Sequence, residues 1–583
     1  MKKIILYILT PIIILSSLSS CKGMLDEENF GNPTVDDMLT NESNTVLMVG
    51  QAYADLKWVH DHWGYWGVAS LTADECVCPI RMPGEHWSDG GYWKSLNTHD
   101  WDKYATAFRN IWDSTIQGAV LCNKLISQLS EVDQPYIDQY IGELEVLRSY
   151  YYYMLFDCFG RIPYVETFET KTEPLMEPEQ VWSRLVSVLE RGARNLPMVT
   201  DANRDFNYGR VTQGFAYALL ARLYLNAESF GCDVNNIDLK EAYAEAKEAG
   251  YDKITEITSV EDFYTNAVRC ADEVINSGSY SIEADYFSNF AIHNEKSREN
   301  IFVIVEDGSS EFDNRSNGMM SNKLRINLLT HHYCMQTAYA MIEKPWSGFC
   351  ARPEFMELFA ETDVRGAGNE YDTDGRHAGT KSEKRWGWFV GNIYGADGKL
   401  LKDENDEDAF IEIEFNPVEG VSDPLDGVKA CAGARCQKYE LDKSGEFPFC
   451  ENDFVLMRYA DVLWMKEEAI ARGGQGTSSS NTDDFKRMLT RSFAYDEDPE
   501  KTYNTEYKID LNNLDEICDE RGREFYWELV RRRDLIRFGK FDKIQYVTAG
   551  EKYREWFPIP HIVIEKSLRD ENGNAYWTQN EGY

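Results

Sequence analysis

Between Trp58 and Trp101 flat aromatic side chains gather: Trp63, Tyr65, Trp66, Trp87, Tyr92 and Trp93, interleaved with Asp74, Glu75 and Asn97. That mixture suits one kind of chemistry, the binding of a neutral sugar chain. An indole or phenol face stacks on a pyranose or furanose ring, while amides and carboxylates take the hydroxyl hydrogen bonds. Glycine and proline interrupt the stretch, which predicts loops around Trp87, Tyr92 and Trp93. A second segment of the same character is Glu343-Lys344-Pro345-Trp346-Ser347-Gly348-Phe349. Trp87, Trp93 and Trp346 are the leading candidates for ligand contact, with Tyr92, Asp74 and Asn97 beside them. The competing role for each ring is the core, since tryptophan in a large protein is commonly buried. Asp74 suits a helix cap or an arginine partner as well as it suits a hydroxyl.

Covalent and metal chemistry have less to build on. The 583 residues contain no Gly-x-Ser-x-Gly elbow, His-Glu-x-x-His pair, phosphate-binding loop or dinucleotide fingerprint. His60 and His62 are one residue apart and His331 and His332 are adjacent, but neither pair has a third ligand at a metal-site spacing. The expectation is therefore no metal, no cofactor and no catalytic set. Carboxylates are plentiful, so glycoside hydrolysis, which needs only two well-placed ones, stays as a minor alternative.

The net charge of −39 argues against nucleic acid, and against a basic patch on an anionic membrane. At the start of the chain, Met1-Lys2-Lys3 precedes a mostly aliphatic run, Ile4 to Leu15, too short to span a bilayer. Leu18-Ser19-Ser20-Cys21 follows and looks like a bacterial lipobox. The expectation is a signal peptide over 1–20 and acyl chains on Cys21 that hold the protein to a membrane. Asp26-Glu27-Glu28 resembles the acidic tract that sends some lipoproteins to the cell surface. Of the 13 cysteines, several sit inside helical patterns and read as small core residues, although an oxidising compartment would permit disulfides.

The elements that must position these residues are mostly helices. Five apolar stripes recur at helical spacing: Phe108 to Val120, Leu144 to Leu155, Val181 to Leu189, Val211 to Tyr224 and Val260 to Val274. None can bury its apolar face alone, and consecutive pairs of this size are the unit of tetratricopeptide-like arrays. From about Ser281 to Asp453 glycine, asparagine, aspartate and proline become frequent, with one short strand predicted over Glu299–Val305 and a helical piece over Pro353–Ala360. Helices are predicted again over Tyr459–Arg472 and Asp515–Phe538. The expected fold is mainly α, a helical-repeat scaffold carrying a loop-rich lobe. Its divisions are a helical region over 21–280, the lobe over 281–453 and a second helical region over 454–583.

Four stretches then resemble one family in its own order. They are Glu143 to Tyr153 running on to Phe159-Gly160-Arg161-Ile162-Pro163; Gly209-Arg210-Val211-Thr212 with Ala218 to Leu225; Arg458-Tyr459-Ala460-Asp461 with Glu468-Ala469; and Glu520-Arg521, Glu524-Phe525, Glu528, Arg532, Asp534 to Phe541. The tail, Phe557-Pro558-Ile559-Pro560 and Thr578 to Tyr583, fits as well. The set resembles the SusD/RagB family of outer-membrane nutrient-binding lipoproteins. One place departs from it: Phe485-Lys486-Arg487-Met488-Leu489-Thr490-Arg491 stands where the family often has an Asn-x-Val-Arg-x-Arg-like segment, which puts the local helix packing in question.

The resemblance implies four tetratricopeptide-like helix pairs beside a ligand lobe, with residues from the two aromatic segments meeting at the ligand. It implies that Asp74-Glu75 stands at the family's acidic pair. It also implies an outer-membrane protein, lipid-anchored and facing the exterior, that closes as a lid over a SusC-like TonB-dependent transporter. The cargo so implied is an oligosaccharide; the RagB branch makes a peptide the alternative.

Overall fold

Helix-starting signals sit where the apolar stripes begin, and the chain obeys them. The computed structural model describes residues 41–81, 87–169, 173–306, 325–338, 344–366, 386–393, 399–402, 410–415, 422–440, 451–494, 496–547, 551–569 and 572–583. The leader, Cys21 and the acidic tract behind it lie outside these residues, as does Glu343. The N-terminal region contains α1 (Glu42–Ala54), α2 (Tyr65–Leu71), α3 (Tyr92–Asn97), α4 (Thr106–Leu129) and α5 (Ile137–Phe159). It continues through α6 (Pro178–Asn195), α7 (Gln213–Leu225) and α8 (Val260–Asn276).

The caps explain the boundaries. Glu177 and Gln180 form a reciprocal capping box at α6, with Pro178 in its first turn; Ser259 and Asp262 do the same at α8, and the Thr212 hydroxyl accepts from Phe215 N at α7. Such caps satisfy amides that the first helical turn leaves open. The five predicted stripes become α4 to α8, and each packs on the next: α4 on α5, α5 on α6, α6 on α7, α7 on α8. The mainly α, repeat-like scaffold is as expected.

The lobe enters and leaves the scaffold through one antiparallel ribbon. The strand read over Glu299–Val305 is β1 (Asn300–Ile304). Inside the lobe lie α9 (Arg325–Thr330), β2 (Gly387–Phe389) and β3 (Arg435–Gln437), and the exit strand is β4 (Phe454–Arg458). β1 pairs with β4 in the register Asn300↔Arg458 and Ile304↔Phe454, and β2 pairs with β3. β4 runs directly into α10 (Tyr459–Ala471), which packs on α8. The helical piece at Pro353 is shorter than expected, ending at Met356.

The predicted helix over Asp515–Phe538 is two helices, α12 (Leu514–Phe525) and α13 (Arg531–Arg537), following α11 (Asp483–Thr490). Between them Trp527 and Leu529 adopt φ of 61° and 73°. Tertiary contacts impose that break. The buried Trp527 amide donates to Glu75 Oε2 at 2.9 Å, and Trp66 Nε1 donates to the Trp527 carbonyl at 3.2 Å. Side-chain burial and two buried hydrogen bonds outweigh the few helical bonds lost.

Most of the charged residues that carry the family resemblance are buried in ion pairs. Arg458, fully buried at the end of β4, reaches Glu299, Glu524 and Glu528. Arg491 bonds Glu299 at 2.6 Å and Glu524 at 2.7 Å, and Arg365 bonds Asp363 and Glu520 at 2.7 Å and Glu524 at 3.0 Å. Arg521 bridges Asp461 and Asp534, Arg222 meets Asp461, and Arg532 and Arg533 share Asp157. Burial by itself would raise the Glu299 and Glu524 carboxyls, but the guanidiniums of Arg491 and Arg458 more than offset it and hold both below the usual carboxylate range. Arg491 belongs to the segment that departs from the family pattern, yet it joins the same cluster.

Candidate functional site

Two segments far apart in the chain meet at one group of rings. Their meeting is built from backbone pairing. In the lobe, Trp346 N donates to Leu328 O at 2.7 Å, Ser347 N to His331 O at 3.0 Å, and Gly348 N and Phe349 N to Leu329 O at 2.9 Å each. The 346–349 segment is thereby laid on the end of α9. Cys350 and Val77 exchange both backbone bonds, at 2.8 and 2.9 Å, and Trp87 N donates to Trp346 O at 3.3 Å. Arg81, buried, donates to Gly348 O, Lys429 O and Ala432 O, which knits the first segment to two loops of the lobe. Lys94 on α3 pairs with Asp423 of the lobe.

Trp87 lies 5.2 Å from Trp346, 5.4 Å from Trp93 and 5.5 Å from Phe349, centroid to centroid. Trp63 adds contacts at 4.4 Å to Trp93 and 5.0 Å to Tyr92. His62, paired with Asp61, sits among Trp63, Trp87, Trp93 and Trp346. These separations are those of favourable aromatic pairs.

Burial divides the rings by role. Trp93 is 0% exposed and forms the hub, its indole N–H donating to Asp89 Oδ2 at 2.9 Å. It supports the surface from beneath and presents no face to a ligand, which corrects its expected role. Trp63, Trp87, Tyr92 and Trp346 are each partly exposed around it. The Tyr92 hydroxyl accepts from Ala107 N at 2.9 Å, and burial pushes its pKa up to about 12.

Backbone geometry sets the angle of approach. Asp89, Gly90 and Gly91 have φ of 46°, 66° and 88°, a left-handed run that reverses the chain between Trp87 and α3. Ser347, at φ 55°, turns the chain between Trp346 and Gly348. Gly348 lies directly beneath Trp87: a Cβ there would be 2.6 Å from Trp87 Cε3. Only hydrogen lets that ring lie so close to the backbone.

The other candidates are elsewhere. Asn97 is 0% exposed; its Oδ1 accepts from Cys78 N at 2.9 Å, and its Nδ2 donates to Leu71 O at 2.7 Å and Cys76 O at 3.1 Å. It locks the turn after α2, with both its N–H groups used, and is buried away from any ligand hydroxyl. Asp74 is held by Arg531 through two bonds of 2.7 Å, the arginine-partner alternative. Its neighbour Glu75 is buried against Trp527, and burial raises its pKa to about 8. Tyr92 and Trp93, expected on loops, lie on α3, while Trp87 is in irregular backbone as predicted. Trp63 was legible only as one of many aromatics; its position on the rim follows from the turn before α2.

His60 is buried between the Leu56 carbonyl and the Tyr150 hydroxyl, and burial lowers its pKa to about 4. Among the described residues no three His, Cys, Asp or Glu side chains converge as a metal-ligand set. The described cysteines are all free thiols, mostly buried.

Comparison with known proteins gives a consistent picture. The sequence profile described as starch-binding, associating with the outer membrane, matches residues 77–225, and that of the SusD family matches residues 298–583. The starch-binding protein SusD of Bacteroides thetaiotaomicron is 24% identical over 475 residues, covering 76% of this chain and 72% of that protein. Surface glycan-binding protein A from Bacteroides fluxus superposes with a TM-score of 0.64 at 18% identity, over 93% of this chain and 100% of that one. Surface glycan-binding protein A from Bacteroides thetaiotaomicron, solved in complex with laminarihexaose, gives 0.64 at 19% identity, over 92% and 99%. These structural likenesses are of fold.

Proposed function

This chain belongs to the SusD family, and on that premise we propose that it is a surface lipoprotein which captures an oligosaccharide on the Trp63–Trp87–Trp346 face. The observation that carries this reading is the convergence of Trp87 and Trp346, from distant segments, as touching and partly exposed rings over a buried indole. A rigid, partly desolvated aromatic surface is what sugar rings stack on, and the ordering cost is already met by the fold. Asp61 and Asp89, the carboxylates beside the rings, serve His62 and Trp93, which favours binding over hydrolysis. Lipidation at Cys21 would hold the protein at the outer membrane, and a TonB-dependent SusC-like transporter would receive the cargo as the chain closes over it.

The test is native electrophoresis of the chain lacking its first 21 residues through gels containing laminarin, amylopectin, xylan, mannan or pectic galactan. Retardation by one glycan, reduced in folded Trp87→Ala and Trp346→Ala variants, is the expected result. No retardation by any glycan, together with tight binding of a peptide library, would replace this reading with peptide capture. Release of reducing sugar from any of the polymers would make the protein a hydrolase.

A further inference from the structure

A groove on the C-terminal side shares no residue with the aromatic platform. Its larger compartment, about 520 Å³, opens between α11 and the segment leading into α12, over a floor of Phe485, Leu489 and Leu511. A hollow of about 230 Å³ adjoins it, and the two have Leu489, Tyr503 and Ile509 in common. The larger compartment alone has the size of a small-molecule site.

Three features give the groove a chemical character. Tyr503–Tyr507 is one turn of π-helix, a rare form that is frequent at functional sites. In that turn Tyr507 is 36% exposed, and its ring lies parallel to Phe493 at 4.9 Å and 13°. One face of Tyr507 is therefore backed by Phe493, and both rings form part of the wall of the smaller hollow. On the rim of the larger compartment Lys486 and Lys508 offset Glu500 and Asp510, with the amides of Asn481 and Asn504 nearby. In a chain of net charge −39 the rim of the larger compartment is locally neutral, and in the smaller hollow Asp363 and Glu520 are paired with Arg365 and Arg523, with Glu357 beside them. A phosphate or a carboxylate gains little from such a rim, because its acids cancel its lysines. A neutral, polyhydroxylated ring fits it: a backed aromatic face to stack on, and donors and acceptors of both kinds around it.

The groove wall also comes from the place where this chain leaves its family's pattern. Phe485, Lys486, Leu489 and Thr490 all lie in the 485–491 segment. We propose that this groove is a second saccharide site, a weaker neighbour of the platform that engages another stretch of the same polymer. The proposal rests on the glycan reading above. Two sites on one rigid chain raise the avidity for a polymer without any new contact at either.

The same gels separate the two ideas. Five forms would be run with the same five polysaccharides: the wild type, Trp87→Ala/Trp346→Ala, Tyr507→Ala, and the platform variant with either Tyr507→Ala or Lys486→Ala added. Each would be checked for a native circular-dichroism spectrum; Tyr507 lies at the surface, and Lys486→Ala serves as a second groove variant. The expected pattern is weak retardation of the platform variant by the glycan that retards the wild type, weakened about tenfold more when Tyr507→Ala or Lys486→Ala is added. If the wild type is retarded and the platform variant moves freely in every gel, the groove proposal is overturned while the platform reading stands. Residual retardation that ignores both groove substitutions overturns it too. Retardation that survives loss of the platform undiminished and vanishes with Tyr507→Ala removes the platform reading and leaves the groove as the site.

Discussion

The substitution Gly348→Ala tests the platform without removing a single ring. The added Cβ would sit 2.6 Å from Trp87 Cε3 and 3.2 Å from the Leu329 carbonyl oxygen. Carbon atoms in contact prefer roughly 3.5–4.0 Å, so the Trp87 ring must retreat by about 1 Å. Gly348 is outside the left-handed region, so the alanine backbone itself is unstrained. The ring cannot retreat inward, because Trp93, Phe349 and Trp346 stand 5.4, 5.5 and 5.2 Å away. It must tilt away from its place or overpack the cluster, at about 1–3 kcal/mol. We expect a modest loss of thermal stability and an affinity for the retained glycan lower by about tenfold, or about 1.4 kcal/mol. Affinity electrophoresis measures the second, thermal melting the first, and near-ultraviolet circular dichroism reports the tryptophan cluster. Gly50→Ala is the control, since nothing stands within 4 Å of its Cβ in α1. Unchanged affinity with an altered tryptophan signal would mean that the ligand sits elsewhere. An unchanged signal would mean that Gly348 does not underlie Trp87.

Three further outcomes follow from the geometry. Arg458→Met leaves Glu299, Glu524 and Glu528 short of one buried guanidinium, and should lower the free energy of urea unfolding by about 3–5 kcal/mol; a loss below about 1 kcal/mol would contradict the network's role. Asn97→Ala strands the Cys78 amide and two carbonyls, so it should cost about 1–3 kcal/mol of stability and leave glycan affinity unchanged in the folded protein. An affinity loss without a stability loss would return Asn97 to the ligand surface. Stability should also peak on the acid side of neutral. Burial raises the carboxyls of Glu75 to about 8 and Asp453 to about 6, so the fold binds these protons more tightly than the unfolded chain and gains stability as pH falls through those values. Glu299, Glu520 and Glu524 are held low by their arginines despite burial, so their contribution is present above the unfolded carboxylate pKa and is lost below about pH 4. Melting temperatures that fall steadily from about pH 8 to about pH 5 would refute the first half of that account.

The buried ion pairs and the platform answer different needs. Arg458, Arg491, Arg365 and their carboxylates join the lobe's root, where β1 meets β4, to α12. Buried pairs are weak sources of net stability, since desolvation consumes most of the Coulomb gain. Their geometric demand is strict: Glu299 and Glu524 each accept from guanidiniums carried on different elements, so the elements have one docking arrangement. The platform depends on that docking, because Trp346 is carried by the lobe and Trp63 and Trp87 by the scaffold side.

The sequence by itself determined the helices α4 to α8, because a stripe of apolar residues and a capping side chain act within one or two turns. It also placed aromatic rings densely between Trp58 and Trp101 and again at Trp346, and set Arg458 and Glu524 in the stretches that resemble the family. Local pattern could not say how they would matter. Trp87 and Trp93 have the same side chain in the same short segment, yet one is on the rim and the other is fully buried. Asn97 reads as a sugar-binding amide and is a turn lock. The helix pattern over 515–538 runs unbroken, and Glu75, from the other end of the chain, breaks it at Trp527. In each case the deciding contacts join residues far apart in sequence. Exposure is a property of what the rest of the chain places over a side chain, and only the docking of the lobe on the scaffold settles it.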